Sequence, residues 1–186
     1  MDKAQVVLKV LTAEDCEQVR LWRNESLVAL RTPYFLTKEA QHDFYTNVIC
    51  NRNARARFWG IWTDEFIGMC GLENIEWENR RAEISLILSP NCQRKGFGMQ
   101  TMQLLLKQGF LYMNLDNIWG ECYLSNPAIH FWEKIIQKYN SYSTRFINTK
   151  YWNGEYSDSL FFNIKRSDFT NESFVSMQCQ YSSGNY

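Results

Sequence analysis

A short strand, a loop with two glycines and an amphipathic helix follow one another in the middle of this chain, and this succession constrains its fold most. Alternating apolar residues predict a strand over residues 82–88. Pro90 ends that strand, because proline brings no N–H group to a sheet ladder. After the loop of residues 91–98, apolar residues recur at helical spacing over residues 99–113. A helix that begins in this way offers free backbone N–H groups to a phosphate.

The loop carries the pattern Gln93-x-x-Gly96-x-Gly98. On its own, this pattern also fits an ordinary glycine turn. The loop lacks the Lys-Ser/Thr pair of a P-loop and the third glycine of a dinucleotide fingerprint. The remaining interpretation is a cradle for a diphosphate that needs no metal. In it, Arg94 and Lys95 add positive charge, and the two glycines allow close backbone approach and positive φ.

The segments before this unit are predicted as a strand and two helices, followed by an antiparallel meander. A β-branched run marks a strand over residues 6–10. Thr12 and Asp15 form a capping-box pattern for the first helix, and Thr37 caps the second. The meander comprises strands over residues 58–62, 66–72 and 82–88.

The segments after the unit are predicted as a strand, a helix and a hairpin. The strand covers residues 118–124, and the helix covers residues 127–139 with Asn126 as its cap. Asn153-Gly154 is a strong signal for a tight turn between two further strands.

Length and composition indicate one domain. The 186 residues are 45% hydrophobic and 16% aromatic, which supplies a core for a domain over residues 1–166. The polar C-terminal tail, residues 167–186, is predicted to be disordered alone or ordered only against a partner subunit. Twenty Lys and Arg residues match twenty Asp and Glu residues. This balance speaks against nucleic-acid binding, which clustered cations drive, and favours a homo-oligomer that covers apolar surface.

The compartment is predicted from targeting signals and cysteines. No run of residues is long and apolar enough for a signal peptide or a membrane span, so we expect a cytoplasmic protein with no membrane contact. The six cysteines are scattered without a C-x-x-C pair, which favours reduced, mostly buried thiols. Two histidines are too few for a His-rich metal site, and no metal is expected.

Three stretches of the sequence, together with the order of elements, resemble a GNAT-superfamily N-acetyltransferase. They are residues 79–84 (NRRAEI) leading into Ser89-Pro90, the loop 93–98 (QRKGFG), and residues 126–134 (NPAIHFWEK). The resemblance extends from Val6 to Arg166.

Shorter stretches point to a branch of that superfamily. Residues 22–24 (WRN) resemble the branch that contains ribosomal-protein N-terminal acetyltransferases and amino-sugar acetyltransferases. Residues 80–83 (RRAE) and 153–156 (NGEY) are also similar to spermidine acetyltransferases.

The resemblance implies an α+β fold, with a central mixed, mostly antiparallel sheet of about seven strands flanked by about four helices. Acetyl-CoA, the implied cosubstrate, would lie in a V-shaped opening between the strand ending at Leu88 and the strand over residues 118–124. Its pyrophosphate would meet the N–H groups of residues 94–99, and its pantetheine would pair with the backbone of residues 86–88. The implied cofactor-binding residues are Leu86, Ile87, Leu88, Gln93, Arg94, Lys95, Gly96, Phe97, Gly98, Met99, Asn126, Phe131 and Trp132.

Glu83 is the catalytic candidate. An alkylamine has a pKa of about 10 and must lose a proton before it attacks a thioester. The resemblance implies that Glu83 faces the acetyl end of the cofactor, where it would accept that proton through a water. The alternative is a structural carboxylate paired with Arg80, Arg81 or another cation. A backbone N–H near Leu86 would stabilise the oxyanion.

The sequence departs from the family pattern in the last helix. Trp132 stands where family members commonly carry a tyrosine that protonates the departing thiolate, and an indole is a donor but no useful acid. The proton would then come from water, Tyr123 or Tyr139, or none is needed. Ile135-Ile136 replaces the usual Gly-Phe, and either Ser125 or Asn126 fills the family's asparagine position.

These observations lead to two hypotheses. The first is an enzyme that moves an acetyl group from acetyl-CoA to a primary amine, by direct attack in a ternary complex. The acceptor would be a small amine, an amino-sugar nucleotide or a protein N-terminus. The second is a catalytically weak acyl-CoA-binding or assembly protein on the same fold. Glu73, Glu76 and Glu78 would form either an acidic mouth for a cationic acceptor or a solvated hairpin tip.

Overall fold

The computed structural model describes residues 4–31 and 34–169. Within these residues the chain forms a seven-stranded sheet in the order β1-β2-β3-β4-β5-β7-β6. Its strands are β1 Val7–Lys9, β2 Arg57–Trp62, β3 Phe66–Glu76, β4 Arg81–Leu88, β5 Asn117–Tyr123, β6 Tyr142–Trp152 and β7 Glu155–Lys165. Every neighbouring pair is antiparallel except β4 and β5, which are parallel. The predicted mixed, mostly antiparallel sheet is therefore confirmed.

Residues 166–169 are helical at the end of the described chain, and four longer α-helices flank the sheet. They are α1 Ala13–Glu25, α2 Lys38–Phe44, α3 Phe97–Lys107 and α4 Ile129–Lys138. A 3₁₀ turn, Leu27–Ala29, follows α1, and π-helical turns extend α2 over Tyr45–Ile49 and α3 over Gln108–Tyr112. None of these helices has the length and apolar character needed to cross a bilayer, as far as the described residues go.

The two helices of the N-terminal half begin at the predicted caps. Thr12 and Asp15 form the complete capping box: the Thr12 N–H donates to the Asp15 carboxylate at 2.9 Å, and the Asp15 N–H donates to the Thr12 hydroxyl at 3.2 Å. Thr37 accepts a hydrogen bond from the Ala40 N–H at 3.1 Å. These caps depend on neighbouring residues only, which is why the sequence predicts them.

The predicted start of the last helix is wrong. α4 begins at Ile129 with Ala128 as its N-cap residue and without a side-chain cap. Asn126 uses its side-chain oxygen to close a turn instead, accepting the Ala128 N–H at 2.8 Å. Its amide group donates to the Ala29 carbonyl at 3.3 Å, so Asn126 joins this turn to the segment after α1.

The core forms two layers, one on each face of the sheet. Ala82 and Ile84 of β4 belong to the larger layer, which α3 and α4 cover. Ile87 packs in the smaller layer with α1 and the end of α2, among them Cys16 and Val19. Because side chains alternate along a strand, Glu83 lies on the same face as Ile87. The predicted division of β4 into an apolar face and a face with a carboxylate is confirmed.

The C-terminal hairpin has the predicted tight turn. Asn153 and Gly154 join β6 to β7, with φ values of 50° and 87°, as a type I′ turn requires. The described chain ends at Phe169, a residue that is 5% exposed and whose ring centroid lies 5.5 Å from that of Phe110. The packed chain thus extends past Arg166, and the rest of the predicted tail lies outside the described residues.

Candidate active site

The site begins where two parallel strands diverge. β4 and β5 pair only between Arg81 and Glu83 on one strand and Asn117 and Trp119 on the other. Beyond these pairs both strands continue unpaired with each other, and the V-shaped opening between them has a free β4 edge. Backbone groups that a sheet leaves unpaired must find another partner.

One end of the opening is built from the loop between β4 and α3. Arg94 and Gly96 have positive φ values of 61° and 89°, and α3 begins at Phe97 without a side-chain cap. The first N–H groups of a helix have no partner within it. Gln93, Arg94 and Lys95 are exposed around these free groups, and the Gln93 amide donates to the Leu88 carbonyl at 3.3 Å. The arrangement suits an anion.

The two glycines of this loop have different reasons to be glycine. Gly96 has positive φ, and a Cβ atom there would meet nothing within 4 Å. Gly98 does not have positive φ, contrary to the sequence expectation, since the positive-φ glycines among the described residues are Gly96 and Gly154. A Cβ atom at Gly98 would lie 3.0 Å from the Phe131 ring. Gly98 therefore allows α3 to pack closely against α4.

Phe131 and Trp132 of α4 form an aromatic wall beside this loop. Their ring centroids are 4.9 Å apart, and the Trp132 ring lies 5.3 Å from that of Phe162 on β7. Both are half-buried against the larger core layer. Tyr139, one of the predicted proton sources, is instead buried in that core against Phe169, with ring centroids 6.1 Å apart. Tyr139 does not reach the opening.

Glu83 lies at the point where β4 and β5 diverge. Its side chain is only 4% exposed, and its carboxylate accepts a hydrogen bond from the Asn74 amide at 2.8 Å. Arg31 forms an ion pair with the other carboxylate oxygen. Asn74 reaches Glu83 because it sits at an irregularity in the β3–β4 register, with φ of 50°.

The predicted cationic partners of Glu83 are paired elsewhere. Arg81 forms a bidentate pair with Glu76, with distances of 2.9 and 2.8 Å. Arg80 donates to the Asn114 carbonyl at 2.9 Å. Sequence reasoning missed Arg31 because it lies in an irregular segment after α1, where no pattern indicates its partner.

Glu73 is a second carboxylate of this site. It lies directly opposite Glu83 in the β3–β4 register, so the two side chains share a face. Burial raises the pKa of Glu73, and the negative charge of Glu83 raises it further. Of the three glutamates predicted as an acidic mouth or a hairpin tip, Glu73 belongs to the site. Glu76 pairs with Arg81, and Glu78 is exposed.

The far wall of the opening carries another carboxylate and an aromatic ring. Glu121 of β5 accepts a hydrogen bond from the Ser159 hydroxyl at 2.5 Å, and its other oxygen lies 3.5 Å from the Arg31 guanidinium. Tyr123 is half-buried beside them. Burial raises the pKa of Tyr123, and the negative charge of Glu121 raises it further. The site therefore combines three carboxylates with a guanidinium and a phenol.

Lys150 closes this wall from β6. It is 5% exposed, and its ammonium group donates to the carbonyls of Val28 and Leu30, the latter at 2.7 Å. The same group lies 4.7 Å from the centre of the Tyr123 ring. Burial lowers the pKa of Lys150. No sequence signal marked Lys150 or Glu121.

Comparisons with known proteins agree with the motifs. The family model described as acetyltransferase (GNAT) domain matches residues 5–131. The spermidine N(1)-acetyltransferase of Escherichia coli K12 is 31% identical over 134 residues, which cover 70% of this chain and 71% of that protein. An uncharacterized N-acetyltransferase p20 from Bacillus licheniformis is 46% identical over 56 residues, which cover 30% of this chain and 32% of that protein.

Two crystal structures of the Vibrio cholerae spermidine N-acetyltransferase show the same fold. The complex with CoA and spermine superposes with a TM-score of 0.78 at 22% identity, covering 89% of this chain and 98% of that chain. The structure with manganese ions gives a TM-score of 0.75 at 23% identity, covering 91% and 97%. With a family model that matches residues 5–131 and a relative that is 31% identical over 71% of its own length, the chain belongs to the GNAT acetyltransferase family.

Proposed function

We propose that this protein is an acetyl-CoA-dependent N-acetyltransferase whose acceptor is the primary amine of a small cationic molecule. The observation that carries the proposal is the opening between β4 and β5, which joins free backbone N–H groups at one end to buried carboxylates at the other. Of the three acceptor classes that the motifs allow, a small amine fits three carboxylates best. The spermidine acetyltransferases among its relatives support the same choice.

The cofactor half of the site would act mainly through its backbone. We place the pantetheine along the unpaired β4 edge at Leu86, Ile87 and Leu88, where it takes the position of a further strand. The pyrophosphate would accept hydrogen bonds from the free N–H groups between Arg94 and Met99. Phe97 and the aromatic wall of α4 would cover the apolar part of the cofactor, beside the turn that Asn126 closes.

The reaction needs one proton acceptor and one proton donor. The amine nitrogen attacks the thioester carbonyl carbon, a tetrahedral oxyanion forms near the Leu86 N–H, and the carbon–sulfur bond then breaks to release the CoA thiolate. We propose that Glu83 accepts the amine proton through a water. Glu73 is the neighbouring carboxylate of Glu83. The raised pKa of Tyr123 keeps its hydroxyl protonated, so Tyr123 or water returns a proton to the thiolate. The Trp132 N–H can only donate a hydrogen bond.

A catalytically weak acyl-CoA-binding protein is the alternative. Trp132 in place of a tyrosine favours it, as does the Arg31 ion pair that already engages Glu83. Both functions predict acetyl-CoA binding, but only the first predicts release of CoA in the presence of an amine.

The test is a panel of amines with the purified protein. Free thiol released from acetyl-CoA is measured with spermidine, a monoamine, an amino-sugar nucleotide and a peptide with a free N-terminus, while acetyl-CoA binding is measured by calorimetry. Turnover with spermidine supports the proposal. Binding without turnover for every amine supports the alternative, and the absence of both contradicts the two together.

We also propose that the chain self-associates in the cytoplasm and acts without a metal. β6 is an eleven-residue strand at the edge of the sheet, and such an edge invites pairing with a second copy. Exposed apolar side chains lie on this hairpin: Tyr142, Phe146, Ile147, Tyr151 and Tyr156. The described cysteines are free thiols, as a reducing compartment requires. Sedimentation tests the self-association, and activity after EDTA dialysis tests whether the reaction needs a metal.

A further inference from the structure

Arg31 lies where a cationic acceptor would have to bind. Its guanidinium pairs with Glu83 and lies 3.5 Å from Glu121, so it joins the carboxylates of the two diverging strands. The Tyr123 hydroxyl lies within its reach on the same wall. The Arg31 side chain is nevertheless 46% exposed, which means that it enters the site from the solvent side.

The segment that carries Arg31 is anchored across the opening by side chains from other elements. Lys150 of β6 binds the carbonyls of Val28 and Leu30. Asn126, in the turn before α4, binds the carbonyl of Ala29 between them at 3.3 Å. Three successive carbonyl groups are thus captured, and this anchoring presents the next residue, Arg31, to the carboxylates.

A guanidinium and an alkylammonium bind in the same kind of surroundings. Both are cations with several N–H donors, and both bind carboxylates and aromatic rings. A buried carboxylate such as Glu83 is costly without a cationic partner. Arg31 can therefore leave Glu83 only when the cationic acceptor takes its place. The carboxylates can satisfy Arg31 or the acceptor, but not both in the same place.

We propose that Arg31 is a built-in occupant of the acceptor subsite, and that a cationic acceptor binds by displacing its guanidinium from Glu83 and Glu121. This inference rests on the proposed function. Arg31 then stabilises Glu83 while the site is empty and sets the concentration of amine that the enzyme needs.

The first test is the kinetics of the Arg31→Met variant with spermidine. Removing the internal competitor is expected to lower the KM for spermidine about tenfold, which corresponds to roughly 1.4 kcal/mol. The KM for acetyl-CoA should not change. Arg145→Met is the matched control, because Arg145 forms an ion pair of 2.6 Å with Asp158, which is not one of the carboxylates of the opening. An unchanged or higher spermidine KM in Arg31→Met would overturn the inference.

A second measurement distinguishes occupancy of the acceptor subsite by Arg31 from a merely structural role of Arg31. In the Arg31→Ala variant, added guanidinium chloride should inhibit competitively against spermidine, because a free guanidinium can enter the vacated place. The wild type and the Arg145→Ala variant should not respond at the same concentration. Thermal unfolding checks that each variant is folded. A folded Arg31→Ala variant that guanidinium does not inhibit contradicts the inference, whereas absence of turnover and amine binding in every protein contradicts the proposed function itself.

Discussion

The two ends of the opening would recognise their proposed ligands in different ways. At the cofactor end, the proposed polar contacts come from backbone groups of one continuous stretch between Leu86 and Met99. Exposed side chains of this stretch add charge, and the aromatic wall of α4 adds apolar contact. At the acceptor end, the contacts come from charged side chains on separate segments, among them Arg31, Glu83 and Glu121. A backbone site tolerates most side-chain changes except at its glycines. A site of paired charges changes when any one member is removed, because the partner is then left buried without its counter-ion.

The difference also concerns distance along the chain. Gln93 binds the Leu88 carbonyl only five positions away. Lys150, in contrast, binds the Leu30 carbonyl from 120 positions away. Changes at the cofactor end should therefore act on acetyl-CoA alone, and changes at the acceptor end should act on the amine and on the proton.

The largest effect is expected for Glu83→Gln. If Glu83 accepts the amine proton, the kcat should fall by at least about 100-fold, the usual contribution of a general base. Calorimetric acetyl-CoA binding should stay the same, because the backbone of the other end is intact. Glu76→Gln, which removes a half-buried carboxylate paired with Arg81, is the control and should keep its turnover. A Glu83→Gln variant with normal kcat would return Glu83 to a structural role.

A glycine pair tests the cofactor end by itself. Gly98→Val should destabilise the fold by roughly 1–3 kcal/mol, because the new side chain meets the Phe131 ring. It should also raise the KM for acetyl-CoA and leave the KM for the amine unchanged. Gly96→Ala has open space but keeps positive φ, so about 1 kcal/mol is expected. Urea unfolding measures both losses, and a Gly98→Val variant as stable as the wild type would contradict the close packing of Gly98 against Phe131.

The acceptor end should leave a signature in the pH dependence of stability. The folded state raises the pKa of Glu73, so it holds a proton that the unfolded chain releases above the ordinary glutamate value of 4.5. The unfolding free energy of the wild type should thus decrease as the pH rises through the raised pKa. Glu73→Gln removes this contribution, and the decrease between about pH 5 and about pH 7 should be smaller in that variant. Urea midpoints at both pH values measure it, and a larger decrease in the variant would reverse the assignment.

The smallest effect is expected for Trp132→Phe. An indole is no acid near neutral pH, so its replacement should lower kcat far less than the roughly 100-fold that loss of a general acid costs. Tyr123→Phe is the informative comparison, since its hydroxyl lies in the opening. A large loss of kcat for Trp132→Phe, with normal acetyl-CoA binding, would contradict the role given to the tryptophan.

Local signals in the sequence predicted most of the fold. The Thr12 capping box, the alternation in β4 and the Asn153-Gly154 turn each depend on residues within a few positions of one another, and all three are present. Asn126 shows the limit of such signals. Its type suits a helix cap, but its side chain closes a turn and binds Ala29, 97 positions away.

The family and the order of the elements followed from the sequence alone, because short motifs and local periodicity indicate them. The mixed sheet followed from the resemblance to that family. The anion-binding role of the loop 93–98 stays a prediction. The tertiary structure decided what surrounds Glu83. Arg31, Asn74 and Glu121 meet there from three separate segments, and no periodicity links them. The strength of an ion pair depends on distance and burial, which the sequence order does not contain. For that reason the cofactor end could be read from one stretch of residues, whereas the acceptor end could be understood only once the chain had folded.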